Sequence, residues 1–281
     1  MGSALLRHAV PDFKEAAMRH TTRWILIGTA ATALGTGTAC TGGGTPAAAP
    51  SAVPSDAAAT TQPVAVPAGS AAPIAIPYAP SIDPKAFSTT VDNPFFPLQP
   101  GMRWQYRSTT KNGVETTVVS VTNKTRTIAG IPCVEVRDTV RVDGTLQEDT
   151  LDWYAQDHAG AVWYFGEDTK EYDKGRVSTE GSWVAGEHGA QPGIVMPAQP
   201  QPGDRYRQEY LKGHAEDQAE VVSTTAHAQV PTGSYAGMVM TKETTPLEPG
   251  VVERKYYARG IGTVLTVDVS AGNTRDELIA R

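Results

Sequence analysis

The segment Ile131-Pro-Cys-Val-Glu-Val-Arg-Asp-Thr-Val-Arg-Val142 alternates apolar and polar residues along most of its length. On an extended chain one face carries Val134, Val136, Val140 and Val142, and the other carries Cys133, Glu135, Arg137, Thr139 and Arg141. A period of two residues predicts a β-strand with one buried face. No later part of the chain sustains the apolar period of 3.6 residues that a long helix needs, which predicts an all-β domain.

The sequence around this segment carries an internal duplication. Gln99-Pro-Gly-Met-Arg-Trp-Gln-Tyr106 is repeated as Gln201-Pro-Gly-Asp-Arg-Tyr-Arg-Gln208, Val118-Val-Ser120 as Val221-Val-Ser223, and Trp153-Tyr-Ala155 as Tyr256-Tyr-Ala258. These pairs are 102, 103 and 103 residues apart. Because a constant spacing indicates repeated structural units, we expect two similar halves, at about 95–165 and 201–281.

Each half predicts five strands, separated by turns that contain glycine. In the first half they are Arg103–Thr110, Glu115–Thr127, Ile131–Val142, Leu146–Gln156 and Val162–Phe165; in the second they are Asp204–Leu211, Ala215–Ala228, Tyr235–Thr244, Val251–Arg259 and Thr263–Ser270. Short, evenly spaced strands predict a curved antiparallel meander of about ten strands, either barrel-like or folded as two packed sheets. Its core would take most of the aromatic residues Trp104, Tyr106, Trp153, Tyr154, Trp163 and Tyr164.

The segment between the halves, about 166–200, has no repeated counterpart and is expected to be a long loop. Such loops are often functional. We therefore expect it to cover a ligand cavity lined by Trp183, His188 and Met196, together with Trp163 and Tyr164. The alternative is a lid over an open end of the sheet, in which Trp183 and Met196 only fill space.

Several acidic residues lie close together between Glu148 and Asp168. On a strand Glu148 and Asp152 share a face, Asp149 points the other way, and a hairpin would bring Glu167 near Asp152. Asp152, Glu167 and Asp168 could then form an oxygen-rich calcium site, or two carboxyl groups could act as acid and base in a hydrolase. Solvated side chains at a sheet edge are the commonest explanation of such charges.

The region before the β domain resembles a bacterial export signal that ends at a cysteine. Arg19 and Arg23 precede a short apolar run, Trp24 to Leu34, and small residues lead to Cys40. Met18 is a candidate for the true start, and Cys40 is a candidate for lipidation. Gly37 departs from the usual lipobox, so ordinary secretion after cleavage near Ala39, and an uncleaved membrane anchor, remain the alternatives.

The residues after Cys40 predict a flexible tether. Residues 41–80 consist almost entirely of Gly, Ala, Pro, Ser and Thr, with Asp56 as the one acid and no base. Such a composition buries too little apolar surface to fold. A coil of this length would span roughly 35 Å between its ends. We expect the tether, residues 40–80, to hold the β domain, residues 81–281, away from the outer face of the cell membrane or within the cell wall.

Charge and cysteine content limit the partners. Removing the residues before Cys40 leaves 20 basic and 28 acidic residues, a net charge of −8. This argues against nucleic acids and against peripheral binding to anionic lipid, so the membrane contact would be the lipid anchor alone. Cys133 would be the one remaining cysteine, and we expect a buried, unreactive thiol in a monomeric protein.

Motif searches identify no catalytic residues. The chain has no His-Glu-x-x-His, no Gly-x-Ser-x-Gly and no P-loop, and its histidines form no close pair. We expect no organic cofactor, and the catalytic residues of any activity stay unknown.

Two segments carry a resemblance to a known family. Asn93-Pro-Phe-Phe-Pro-Leu-Gln-Pro-Gly-Met-Arg-Trp-Gln-Tyr106, here called the opening motif, resembles the start of the folded domain in an uncharacterised family of exported bacterial lipoproteins. Tyr256-Tyr-Ala-Arg-Gly-Ile-Gly-Thr-Val264, the closing motif, is similar to that family's last strand pair. The resemblance covers about residues 87–281 and implies no chemistry. The layout is loosely similar to lipoprotein-carrier half-barrels, in which a curved sheet shelters an acyl chain.

Together these observations predict a non-enzymatic, lipid-anchored protein outside the cytoplasm that binds an apolar small molecule, a lipid or an envelope partner. The alternative is an exported hydrolase or a calcium-binding module that uses the carboxylates between Glu148 and Asp168.

Overall fold

The computed structural model describes residues 78–281, so Met18, Gly37, Cys40 and most of the expected tether lie outside the described residues. The described part contains one short 3₁₀ helix, Pro84–Ala86, and sixteen strands. The strands are β1 (Phe87–Ser88), β2 (Arg103–Thr110), β3 (Gly113–Ile128), β4 (Ile131–Val142), β5 (Thr145–Asp157), β6 (Val162–Asp173), β7 (Arg176–Ser178), β8 (Trp183–Val184), β9 (Gln191–Met196), β10 (Arg205–Arg207), β11 (Glu209–Tyr210), β12 (Gln218–Val230), β13 (Gly233–Thr244), β14 (Val252–Ala258), β15 (Gly262–Asp268) and β16 (Thr274–Ala280).

Thirteen of these strands form one antiparallel meander that closes into a nearly complete barrel. The order across the sheet is β10-β12-β13-β14-β15-β16-β2-β3-β4-β5-β6-β9-β11, and β1, β7 and β8 pair with β5 or β6 beside this path. The first and last strands of the order, β10 and β11, are separated in the chain by Gln208 alone. The segment 205–210 therefore reaches both edges of the sheet and nearly joins them. This confirms the all-β fold with a barrel-like sheet.

Short hairpins make this meander possible. At the turn between β4 and β5, Asp143 and Gly144 have φ angles of +47° and +82°. Positive φ at both central positions is typical of the type I′ turn, whose twist matches that of the flanking strands. The pairing continues at Val142 opposite Thr145 and fixes the register of both strands.

The expectation of a loop at 166–200 is wrong for much of that segment. Strand β6 continues to Asp173, and β9 pairs with β6 through Met196 opposite Val162. Strand β16, which was not expected, lies between β15 and β2 and connects the two halves of the sheet. These additions explain why the sheet exceeds about ten strands.

The interior of the barrel changes character along its strands. In β4 the inward residues Val134 and Val136 are followed by Asp138 and then by Val140, and in β5 they run from Tyr154 to Asp152. Other strands show the same change from apolar to polar residues along the barrel axis. The apolar residues and the polar residues that follow them are Trp104 and Tyr106 with Ser108; Val121 and Val119 with Thr117 and Glu115; Tyr257 with Lys255 and Glu253; Val264 with Thr266 and Asp268; and Leu278 with Asp276. The register aligns these residues across the sheet, so the barrel has an apolar part and a polar part.

The expected buried thiol is confirmed. Cys133 is fully buried and free, and burial raises the pKa of its thiol to about 12. Such a thiol is protonated and unreactive at neutral pH.

Candidate functional site

The opening and closing motifs lie against each other, because β16 brings the end of the chain beside β2. The Trp104 indole Nε1 donates a hydrogen bond to the carbonyl of Ile261 over 2.9 Å, and the Tyr106 hydroxyl donates to the carbonyl of Thr263 over 2.9 Å. The Gly260 amide donates to the carbonyl of Pro94, 2.6 Å away. Two motifs that are about 150 residues apart in the sequence thus form one structural unit.

A cavity lies where the two motifs meet. Its volume is about 380 Å³, including the space at its opening to solvent. The lining is mainly aromatic and aliphatic, and it comes from the opening motif, the closing motif and the strands beneath them: Phe96, Pro97, Leu98, Trp104, Tyr106, Val119, Val136, Tyr154, Ile261, Gly262 and Thr263. Phe96 is half-buried, and its ring centroid lies 5.5 Å from that of Tyr154. A concave site with a mainly apolar lining is the usual form of a small-molecule pocket.

Asn93 holds the wall of this cavity in place. Its amide Nδ2 donates to the carbonyls of Gly160 and Pro197 over 2.8 and 3.1 Å, and its Oδ1 accepts from the amide of Phe95 over 2.9 Å. The side chain is buried, with 2 % of its surface exposed. Because a buried amide with these partners has little freedom, the segment that carries Phe96 and Leu98 is fixed over the sheet.

A cluster of buried acids lies beyond Tyr154, in the polar part of the barrel. Asp152 lies directly opposite Glu167 on the neighbouring strand, and the Tyr164 hydroxyl donates to Asp152 Oδ1 over 2.6 Å. Glu148 lies two residues before Thr150, whose hydroxyl donates to Glu148 Oε1 over 3.0 Å. We call Glu148, Asp152 and Glu167 the acidic cluster. All three side chains are buried, so the interpretation as solvated edge charges is wrong for them.

Burial controls the protonation of the acidic cluster. It raises the pKa of Asp152 to about 7, although the hydrogen bond from Tyr164 opposes the shift and the charge of Glu148 adds to it. The pKa of Glu167 is raised well above its ordinary value, first by burial and then by the charge of Asp152. Both shifts follow from the cost of placing a negative charge in a medium of low polarity.

The second half contains a different arrangement at the matching position. The sequence repeat makes Tyr257 the counterpart of Tyr154. Lys255, two residues before Tyr257, then corresponds to Asp152, and the strand pairing makes Glu243 correspond to Asp138. Lys255 Nζ lies 2.7 Å from Glu243 Oε2, and the Tyr257 hydroxyl donates to Glu243 Oε1 over 3.0 Å. The second half thus supplies its own ammonium group where the first half has an acid.

The five residues expected around a ligand cavity lie elsewhere than in the cavity at the two motifs. Trp183 and Met196 are buried in the core, while His188 is exposed in a turn with a φ of +51°. Trp163 is half-buried and its Nε1 donates to Asp157 Oδ2 over 2.9 Å. Tyr164 is fully buried between Tyr154 and Trp183, whose ring centroids lie 4.9 and 5.2 Å from its own.

The three residues expected to hold calcium are only partly brought together. The strand pairing joins Asp152 to Glu167, but Asp168 lies opposite Leu151 and its side chain falls on the other face of the sheet. Within residues 78–281 no group of three or more His, Cys, Asp or Glu side chains is placed to hold a metal ion. The same part of the chain contains no helix with the length and apolarity that a membrane crossing requires.

Most of the residues that line the cavity were not predicted as ligand contacts from the sequence. Phe96, Leu98 and Ile261 lie in the opening and closing motifs, so the two motifs were the available signal for the site. No local pattern pairs these motifs in space, since β16 brings them together only in the folded barrel.

Comparisons with known proteins give a limited result. No protein-family model and no curated protein matches the chain. Two solved structures are similar, each with a TM-score of 0.39: a candidate exported protein with a YmcC-like fold from Bacteroides fragilis, at 16 % identity, and a candidate lipoprotein from Parabacteroides distasonis, at 13 % identity. Both alignments cover 66 % of this chain, and they cover 97 % and 96 % of the two structures. Similarity at this level carries no argument about function.

Proposed function

We propose that this chain is a lipid-anchored binding protein outside the cytoplasm, whose barrel holds a small apolar molecule at the junction of the opening and closing motifs. The lining of the cavity carries this proposal, because it is mostly apolar and two distant parts of the chain build it together. Pockets for small organic ligands are concave and mainly hydrophobic, with a few polar groups. The anchor would be Cys40, which lies outside the described residues.

The geometry favours binding over the hydrolase alternative. Asp152 and Glu167 expose 3 % and 2 % of their surface, and Trp183 lies opposite Glu167 on β8. An acid and base for glycoside hydrolysis must flank a sugar and a water molecule. The two carboxyl groups lie directly opposite each other on neighbouring strands and do not line the cavity, so a sugar and a water molecule cannot lie between them, whereas Phe96 and its neighbours border an opening.

Filling the cavity tests this function. In the full chain, Val136→Phe adds an aromatic ring to the cavity lining, and we expect at least about tenfold weaker binding of the apolar fluorescent probe N-phenyl-1-naphthylamine. The matched control is Val239→Phe, because Val239 is also fully buried in a strand but does not line this cavity. Both changes overpack the core and should lower stability by about 1–3 kcal/mol.

Circular dichroism and thermal unfolding establish that each variant is folded before binding is compared. Normal probe binding by folded Val136→Phe, or an absence of binding by the unmodified protein, would overturn the proposed function.

A further inference from the structure

We propose that the natural ligand is a cationic amphiphile, whose apolar body occupies the cavity and whose primary ammonium group is bound by Asp152 and Glu167. This inference rests on the proposed function and specifies the chemical class of its ligand.

Tyr154 connects the two parts of this site. Its ring belongs to the cavity lining, while the charges that act most strongly on its hydroxyl are those of Asp152 and Glu167. The side chain exposes 1 % of its surface, and its hydroxyl has no hydrogen-bond partner among residues 78–281. A ligand that enters along the apolar wall would therefore meet a phenol and two carboxyl groups behind it.

The unused hydrogen-bonding atoms of the site match an ammonium group. Asp152 Oδ2 and Glu167 Oε1 are buried, and neither accepts a hydrogen bond from the described part of the protein. An ammonium group has three donors and a positive charge, so it can serve both carboxylates and the oxygen of Tyr154. A carboxylate ligand would bring a negative charge beside these carboxyl groups, and an alcohol would bring no charge to favour their ionised forms.

The balance of buried charge supports a cation. Among the described residues twelve buried side chains are acidic, and only Arg207 and Lys255 are buried and basic. The charges that act most on Glu167 come from other carboxyl groups, beginning with Asp152 and Glu209. Buried charges are normally paired, so Asp152 and Glu167 favour a positive group supplied from outside the barrel wall.

The second half shows what such a pairing looks like within this fold. There the ammonium group of Lys255 contacts Glu243 at 2.7 Å, beside the hydroxyl of Tyr257. In the first half Asp152 takes the place of that lysine, and Tyr154 takes the place of Tyr257. The ligand's ammonium group would supply there the charge that Lys255 supplies in the second half.

Aromatic rings around the cluster add to the attraction. Tyr164 packs between Tyr154 and Trp183, with ring centroids 4.9 and 5.2 Å apart. The faces of aromatic rings attract cations, and the attraction is strongest where water is excluded. Tyr164 and Trp183, which the sequence suggested as ligand-cavity residues, would thus contribute at the polar end of the ligand.

Three ligands with one chain and different head groups test the inference on the full-length protein. We expect isothermal titration calorimetry at pH 8 to show octylamine binding at least about tenfold more tightly than octanol, with octanoate weakest. Asp152→Asn and Glu167→Gln should each reduce the affinity for octylamine towards that for octanol. Asp149→Asn is the control, because Asp149 lies on the outer face paired with Arg137 and should leave the preference intact.

The outcomes separate the two proposals. If none of the three ligands binds, the apolar site itself is refuted and this inference falls with it. If octanol binds and octylamine binds no more tightly, or octanoate binds best, the cationic head group is refuted while the apolar site stands. Should either variant fail to fold, the comparison of head groups on the unmodified protein decides alone.

Discussion

At the scale of single residues, the main feature of the protein is a set of acidic side chains buried where a negative charge is unfavourable. Glu148, Asp152 and Glu167 point into the barrel, while Asp149 on the outer face forms an ion pair with Arg137 at 2.7 Å. Neighbouring residues of one strand therefore experience opposite environments. The Arg137 guanidinium lowers the pKa of Asp149, whereas burial raises that of Asp152.

These opposite shifts predict opposite dependences of stability on pH. The pKa of Asp152 is about 7 in the folded protein, against about 3.9 for an unfolded aspartate. Because the folded state holds this proton more tightly than the unfolded state, the protonated Asp152 contributes stability. This contribution is fully present below about pH 4 and is lost as the pH rises towards about 7. In Asp152→Asn the loss of stability between pH 4 and pH 8 should be smaller. The free energy of unfolding at pH 8 should then exceed that of the unmodified protein by up to about 4 kcal/mol, at about 1.4 kcal/mol per pKa unit.

Denaturant unfolding of both proteins between pH 4 and pH 8 measures this effect. Asp149→Asn provides the matched control of opposite sign, since its lowered pKa contributes stability above about pH 4 that the variant loses. This loss should be below about 1 kcal/mol because the pair is exposed. Equal pH profiles for the unmodified protein and Asp152→Asn would contradict the prediction.

At the scale of elements, closure of the sheet depends on β9. This strand pairs with β6 on one side and with β11 on the other, and it begins Gln191-Pro-Gly. Gly193 lies against the backbone of Arg207 and Gln208, so that a methyl group at this position would overlap their carbonyl groups. The closing segment 205–210 can approach the sheet only because Gly193 has no side chain.

A single methyl group should therefore disturb the closure. We expect Gly193→Ala to lower the free energy of unfolding by more than about 2 kcal/mol, because backbone atoms must shift to admit the new Cβ. Gly250→Ala is the control, since no atom outside its chain neighbours lies within 4 Å of a Cβ at that position. Chemical denaturation measures both variants, and equal stability of the two would show that the close approach is unimportant.

Strands β6 and β9 show why the sequence predicted a loop at 166–200. Inward positions of β6 after Phe165 carry Glu167 and Thr169, both buried, so both faces of the strand look polar in the sequence. Hydrophobic alternation cannot reveal a strand that faces a polar interior. Pro192 and Gly193 further disguise β9, since both residues are unusual within strands.

At the scale of the whole molecule, the chain combines a proposed anchor with a barrel whose two ends meet. The opening motif lies against the closing motif, and β16 joins the second half to β2. Cys40 and the segment that links it to the barrel lie outside the described residues, so the anchor is argued from the sequence pattern alone.

Expression in a bacterial host tests the anchor. We expect the mature protein to fractionate with membranes, and Cys40→Ser to move it to the soluble exported fraction while the barrel keeps its unfolding transition. Cys133→Ser is the matched control, because Cys133 is buried in the barrel and should not affect membrane attachment. Mass spectrometry of the membrane-bound protein should show an acylated N-terminal cysteine. Membrane attachment that persists in Cys40→Ser would refute lipidation at this residue.

Local sequence pattern alone predicts the all-β fold, most strand positions and the antiparallel pairing of neighbouring strands. Alternation and turn residues act between near neighbours, so strands such as Arg103–Thr110 and Ile131–Val142 were predicted with the observed bounds. The sequence also placed Glu167 beside Asp152, because a hairpin fixes its own register.

Three features emerge only in the folded barrel: the sheet nearly closes, its interior carries acids, and a cavity lies between the opening and closing motifs. These features depend on contacts between residues far apart in the chain, such as Trp104 with Ile261 and Gly193 with Gln208. Whether an acid is solvated or buried depends on what the completed barrel places over it. The local sequence pattern does not contain that information, so the raised pKa of Asp152 follows only from the folded structure.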